Sequence, residues 1–199
     1  MIKTICCTAL FLISFSGFGQ SYDIVIRNGH GIEPKNSVDG VMDIGIRNGK
    51  IAAVAKKIDT VNAVQVVNAG GLYVTPGLID IHTHDFFGTE PDHYLSDGLS
   101  AIAPDGFTFR TGVTTVVDAG SSGWKNFAIF KKNIIDNSRT RILVMLNIVG
   151  DGMRGGPYEQ NKADMDGKLT AMMALANRKI VVGIKTAHFE GHDWTAVDQ

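Results

Sequence analysis

The 199-residue chain is poor in cysteine: it has two, Cys6 and Cys7, and both fall within its first twenty residues. From residue 21 onward there is none, which excludes a disulfide framework, a cysteine zinc site and a cysteine nucleophile together. Any metal held there must rely on His, carboxylate or a less usual donor. An excess of one charge is also absent. Nineteen Lys and Arg stand against twenty Asp and Glu, a formal net charge of −1. No segment concentrates basic residues enough to attract a phosphate backbone, which argues against a nucleic-acid partner. A membrane-spanning apolar run is missing too, because the apolar stretch near the start is shorter than the roughly 20 residues needed to cross a bilayer. What is present, 44% apolar and 20% charged residues, is the composition of a globular chain able to build a sizeable core.

Residues 1–20 stand apart from the rest. Lys3 supplies a positive start, residues 5–15 form the apolar run, and Gly17 and Gly19 place small residues at the spacing a signal peptidase reads. The leader predicts export, to a secreted or periplasmic location with no membrane association after cleavage near Gly19 and Gln20. Cys6 and Cys7 lie too early to resemble a lipid-modified cysteine.

Residues 21–75 alternate apolar and polar side chains in short runs. Asp23-Ile24-Val25-Ile26-Arg27 and Asp43-Ile44-Gly45-Ile46-Arg47 are each followed by Asn-Gly, and period-two alternation ending in Asn-Gly predicts a β-hairpin at each. This segment reads as a small β-sandwich module with no chemistry of its own.

The pattern changes at Thr75-Pro76-Gly77. Over residues 76–199, strand-length apolar runs at 78–84, 113–119, 142–149 and 180–185 alternate with helix-length segments at 104–111, 124–137 and 164–177. Pro104 suits a first helical position and Gly112 the residue just past a helix end. Runs such as Ile142-Leu143-Val144-Met145-Leu146 are apolar on both faces, as parallel strands covered by helices are. The class is α/β with a parallel sheet. Periodicity leaves open whether that sheet is a doubly wound one or a closed barrel, although no Gly-x-Gly-x-x-Gly follows the first strand.

The strand ends carry the polar chemistry. His82 and His84 are two apart on a strand, so they present two imidazoles on one face at its C-terminal end, and imidazole is the commonest metal ligand. Lys185 ends the run Ile180-Val181-Val182-Gly183-Ile184; by itself it reads as a solvated lysine. Asp118 closes the second strand, where it could orient a ligand or cap the next helix. Asp80 shares the histidine face but lies deeper, which predicts a buried, hydrogen-bonded structural role. His30, His93, His188 and His192 fall in predicted turns or loops, with His188, His192 and Asp193 as candidates for substrate contact. Arg154, in the loop 151–158 after the third strand, could meet an anionic substrate.

Thr75-Pro76-Gly77-Leu78-Ile79-Asp80-Ile81-His82-Thr83-His84, placed directly after a small β module, resembles the first barrel strand of the amidohydrolase superfamily. The likeness continues, less sharply, through Gly112 to Gly120 and Lys179 to Lys185. It implies the N-terminal half of a (β/α)₈ TIM barrel, with His82 and His84 as metal ligands. It also implies that Lys185, at the end of the fourth strand, is a carboxylated lysine bridging two divalent ions, zinc best fitting the ligand set. The implied activity is that of a dihydroorotase-like or deacetylase-like hydrolase acting on carbon–nitrogen bonds other than peptide bonds, through a metal-bridging hydroxide. Its substrate would be a small molecule: a cyclic amide, an N-acyl compound or an ester. A mononuclear deaminase is disfavoured because that branch lacks the lysine. Four strands of eight precede Gln199, so the reading is of a truncated chain, inactive alone, with two further histidines and a general-base aspartate beyond it. Association into a homo-oligomer stays open. The alternative is a non-catalytic relative serving as a binding or assembly module.

Overall fold

The computed structural model describes residues 21–194 and 196–198. The leader assigned to residues 1–20 lies outside them. Contacts divide the chain between Pro76 and Gly77 into two compact units.

The first unit is one mixed sheet. Strands β1 (Tyr22–Glu33), β2 (Val38–Arg47), β3 (Lys50–Ala55) and β4 (Ala63–Asn68) lie in the order β3-β2-β1-β4, and β5 (Tyr73–Val74) also pairs with β1. The β1–β2 and β2–β3 pairs are antiparallel, while β4 and β5 run parallel to β1. All five strands of the expected sandwich segment thus belong to a single layer among the described residues.

The two Asn-Gly pairs differ in outcome. Asn48 and Gly49 both have positive φ, 52° and 68°, and they close the β2–β3 hairpin between Arg47 and Lys50, as a two-residue primed turn requires. Asn28-Gly29 makes no hairpin: β1 continues through it to Glu33, with a register shift between Ile26 and Gly29. Asn28 is left-handed (φ 59°) but forms a bulge there and not a turn. The buried carboxylate of Asp43, 2% exposed, accepts its amide at 2.9 Å and the Ile58 amide at 3.0 Å, and so ties β1 to partners on both sides of the bulge. His30 therefore sits in a strand, not a turn, with Nε2 2.7 Å from Asp39 Oδ1.

In the second unit, β6 (Leu78–Thr83), β8 (Val113–Gly123), β9 (Arg141–Asn147) and β10 (Val181–Lys185) form a four-stranded sheet, every neighbouring pair parallel and in chain order. A short strand, β7 (Phe87–Glu90), follows β6 outside this sheet. Helices α1 (Phe127–Asn133) and α2 (Gly167–Ala176) lie in the β8–β9 and β9–β10 connections.

Both helices start later than the apolar pattern suggested. Asn126 is committed elsewhere, accepting from the Gly123 amide and donating to Ser96 Oγ and Asp151 O, so α1 begins only at Phe127. Asp166 caps α2 by accepting the Leu169 amide at 2.9 Å. The helix expected at 104–111 is instead two 3₁₀ turns, Pro104–Gly106 and Thr108–Thr111. The segment is too short, and Gly106 too permissive, to nucleate an α-helix. Gly112 does end it in the left-handed region, at φ 78°.

The core of this unit gathers Phe86, Val116, Phe127, Phe130, Ile142, Val144, Leu146 and Val181. Phe86 and Phe130 stack at 4.7 Å between centroids. Burying an aliphatic or aromatic side chain of this size contributes about 1.5–3 kcal/mol. α1 and the chain following β6 are thus fixed against the buried faces of β8, β9 and β10. Among the described residues no helix is long and apolar enough to cross a membrane.

Candidate metal centre

Parallel strands put their C-terminal ends on one side, and in this sheet those ends carry His82 and His84 at the end of β6 and Lys185 at the end of β10, while Asp118 lies midway along β8. The imidazoles of His82 and His84 lie 5.4 Å apart, edge to face. Lys185 Nζ is 3.5 Å from His82 Nε2. β6 and β10 are the two edges of the sheet, so a flat sheet would hold them about 14 Å apart, with side chains standing parallel to one another. Their meeting requires the sheet to curl, with its concave face under these three side chains.

Local geometry clears the way for Lys185. Gly120 has φ 91°, and a Cβ there would stand 3.1 Å from Lys185 Cδ, so glycine at the end of β8 lets the lysine stem cross the sheet toward β6. Asn147 Nδ2 donates to Gly120 O at 3.0 Å and keeps that turn in place.

His84 is fixed by a residue that no sequence pattern singles out. Its Nδ1 lies 3.1 Å from Ser121 Oγ, and Ser121 is fully buried. Burial first, and then the positive charges of Lys185, His82 and His188, lower its pKa from 6.5 to about 4. Neutral imidazole is the form that binds a metal. No strand period or motif marks Ser121, because it is placed by the irregular end of β8, where the pairing with β9 shifts register between Ala119 and Gly123.

Asp118 neither caps a helix nor faces the opening. It is fully buried, accepting the Asp85 amide at 2.7 Å and the Ser121 amide at 2.8 Å, and it ties the residue after His84 to the residue beside it. Burial raises its pKa against the pull of these donors. Asp80, expected to be buried, is exposed and accepts the amide of His82, because it stands on an edge strand with one face uncovered among the described residues.

Of the other candidates, Asp193 pairs with Lys162 at 2.6 Å and His192 is exposed. Arg154 stacks its guanidinium 4.1 Å above the Tyr158 ring. His188 stands just past β10 with Nδ1 2.7 Å from Glu159 Oε2.

No three His, Asp, Glu or Cys side chains gather as a metal cage among the described residues. The cluster is two imidazoles and an amine. The Lys185 amine stands beside the His82 nitrogen at a solvent-exposed edge of the cluster. Two imidazoles able to bind in the neutral form, with a basic amine beside them, are a donor set that fits a metal centre.

No protein-family model matches the chain. A deacetylase of Brucella anthropi is 32% identical over 151 residues, covering 74% of this chain and 36% of the relative. A dihydroorotase of Elusimicrobium minutum is 45% identical over 85 residues, covering 42% of this chain and 19% of the relative. The chain belongs to the amidohydrolase superfamily. Among solved structures, that of an adenine deaminase superposes with a TM-score of 0.71 at 27% identity, over 89% of this chain and 46% of the other. The chain thus spans about a third or less of the curated relatives it matches here, and less than half of this superfamily neighbour.

Proposed function

We propose that the protein is a metal-dependent hydrolase acting on carbon–nitrogen bonds other than peptide bonds, on a cyclic amide or N-acyl small molecule, with its site on a (β/α)₈ barrel. The observation that carries this reading is the approach of Lys185 Nζ to His82 Nε2 across two intervening strands. Four parallel strands in chain order, curled so that the ends of the first and fourth meet, follow the course of a closing barrel and not of a sheet that reverses at a switch point.

In this reading His82, His84 and a carboxylated Lys185 hold two divalent ions, zinc being the best match to imidazole and carbamate oxygen. Such ions polarise a carbonyl oxygen and lower the pKa of water at neutral pH. The protein's own residues arrange the donors. Ser121 orients His84, Asp118 fixes both Ser121 and the chain after His84, and Gly120 admits Lys185. The deaminase neighbour shares the fold, but a lysine at the fourth strand end favours the hydrolase.

Metal analysis of the full-length protein, purified without chelator, tests the assignment. We expect close to two zinc per chain, and loss of at least one in Lys185→Ala. Full metal content in that variant would remove the carbamate from the reading. Export of the mature protein, beginning near Gln20, is a separate proposal that N-terminal sequencing of secreted material checks.

A further inference from the structure

A second constellation stands at the same end of the sheet. Beside the loop after β9 lies a cavity of about 650 Å³, lined among others by Tyr94, Glu159, Gln160, Asn161, His188 and Glu190. These residues follow β6, β9 and β10, so the cavity opens on the side where the strand ends present His82, His84 and Lys185.

Within this cavity His188 is held in an unusual way. It has φ 52°, a left-handed conformation that is uncommon among non-glycine residues. Its carbonyl accepts from Gln160 Nε2 at 2.6 Å, and Gln160 Oε1 in turn accepts the Glu190 amide at 2.9 Å. Its ring is anchored by Glu159, whose carboxyl is 1% exposed and also accepts the Gly155 amide at 3.0 Å. Yet the His188 side chain itself is 62% exposed. A structural histidine buries its ring; here the carboxylate is buried and the ring is offered outward. Because a carboxylate accepts, Nδ1 carries the hydrogen, and in the neutral ring Nε2 presents its lone pair.

Resting on the hydrolase reading above, we propose that His188 is a substrate-binding residue whose Nε2 accepts an N–H from an amide substrate, with Glu159 as the positioning residue behind it. This gives the site a preference for amides that carry an N–H, ring amides and secondary N-acyl compounds, over esters, which have no such hydrogen. A hydrogen bond supplied by the substrate to a fixed acceptor discriminates strongly against a substrate that lacks it.

The test uses the zinc-loaded full-length protein, with dihydrouracil and N-acetylglycine as amide probes and phenyl acetate as the ester. In His188→Asn and Glu159→Gln, the ratio of kcat/KM for amide over ester should fall about tenfold, carried by a higher KM, while zinc content stays as in the parent. In parallel, ¹⁵N spectra of histidine-labelled protein should show His188 with hydrogen on Nδ1, its Nε2 signal shifting when either amide is added. Glu159→Gln should disturb that tautomer, which a merely packing glutamate would not. An unchanged ratio, or hydrogen on Nε2, overturns the assignment. If the parent hydrolyses none of the probes, the hydrolase reading fails; the Nε2 shift then decides the binding role by itself, and its absence overturns it.

Discussion

Asp105 offers a test of the fold at the end of the sheet away from the proposed site. Its two carboxylate oxygens accept four hydrogen bonds: from Ser138 Oγ at 2.7 Å, the Arg139 amide at 2.8 Å, the Thr140 amide at 2.8 Å and Thr140 Oγ1 at 2.6 Å. They clamp the turn leading toward β8 to the turn that enters β9, and Thr108 Oγ1 reinforces the joint by meeting Thr140 Oγ1 at 2.8 Å. Partial burial works to raise the pKa of Asp105, but the bonds from Thr140, Arg139 and Ser138 outweigh it and hold the carboxyl well below the usual carboxylate range.

The carboxylate is exposed, so solvent screening places each bond near the low end of its range. Four bonds at roughly 0.5 kcal/mol give about 2 kcal/mol for Asp105→Ala. Asn keeps one acceptor oxygen, and Asp105→Asn should cost about half as much. The sign of the pH dependence comes from a depressed folded-state pKa: the stabilisation is fully present above the unfolded value near 3.9 and drains away as pH falls toward the folded value. Urea unfolding of parent and variant at pH 7, 5, 4 and 3 reads this directly. The gap in unfolding free energy should be constant from pH 7 to 5 and narrow below pH 4. A gap under about 0.5 kcal/mol at pH 7, on the scale of an inert surface substitution, or an equal gap at pH 3, would refute the clamp.

Three further outcomes are expected. Asp118→Ala leaves the buried amides of Asp85 and Ser121 unpaired and should cost about 2–6 kcal/mol in urea unfolding at roughly 1–3 kcal/mol per orphaned group, with weaker zinc retention because Ser121 no longer holds His84. Burial, opposed by a hydrogen bond from Thr83 and aided by the charges of Asp118 and Asp80, raises the pKa of Asp85 to about 7. Its contribution is then largest below the unfolded pKa and declines as pH rises from about 4 to 7, and Asp85→Asn should flatten that decline in a stability–pH profile. Asp43→Ala deprives the Asn28 and Ile58 amides of their acceptor and should lower the stability of the first unit by about 2–4 kcal/mol, seen as selective loss of hydrogen-exchange protection in β1 and β2.

The parts of the site that are legible in the sequence are those set by strand period. His82 and His84 share a face because two residues make one pleat, and Lys185 ends an apolar run whose length sets the end of β10. Ser121, Glu159 and the role of Asp118 are not legible. Each is chosen by a contact between loops 29 to 37 residues apart in the chain, and no local pattern encodes which loop will arrive. Asp80 shows the same limit from the other side: its alternation is plain in the sequence, but its exposure depends on what covers an edge strand.

The two Asn-Gly pairs isolate the reason. Arg27-Asn28-Gly29 and Arg47-Asn48-Gly49 are the same tripeptide after nearly the same strand, and both asparagines take positive φ. Local chemistry therefore fixes the backbone at one residue in both places. The paths of the chain beyond them diverge. The Asn48 amide also meets a carboxylate, Asp23 Oδ2 at 2.6 Å, but that acid is exposed; there Gly49 also turns left-handed, and β3 folds back beside β2. At Asn28 the buried carboxylate of Asp43 accepts the amide, and the Arg27 carbonyl accepts the Ala69 amide at 2.8 Å, so the strand is held on course by partners fifteen and forty-two residues away. A charge-assisted bond to a buried acid outweighs the small preference of an Asn-Gly pair for a hairpin. Removing the acceptor should therefore free Asn28-Gly29 to behave as Asn48-Gly49 does. In Asp43→Ala the amides of residues 28 and 29 should exchange as turn amides do while those at 48 and 49 are unchanged, and equal protection at both pairs would mean that the bulge is held by β4 and β5 and not by the acid.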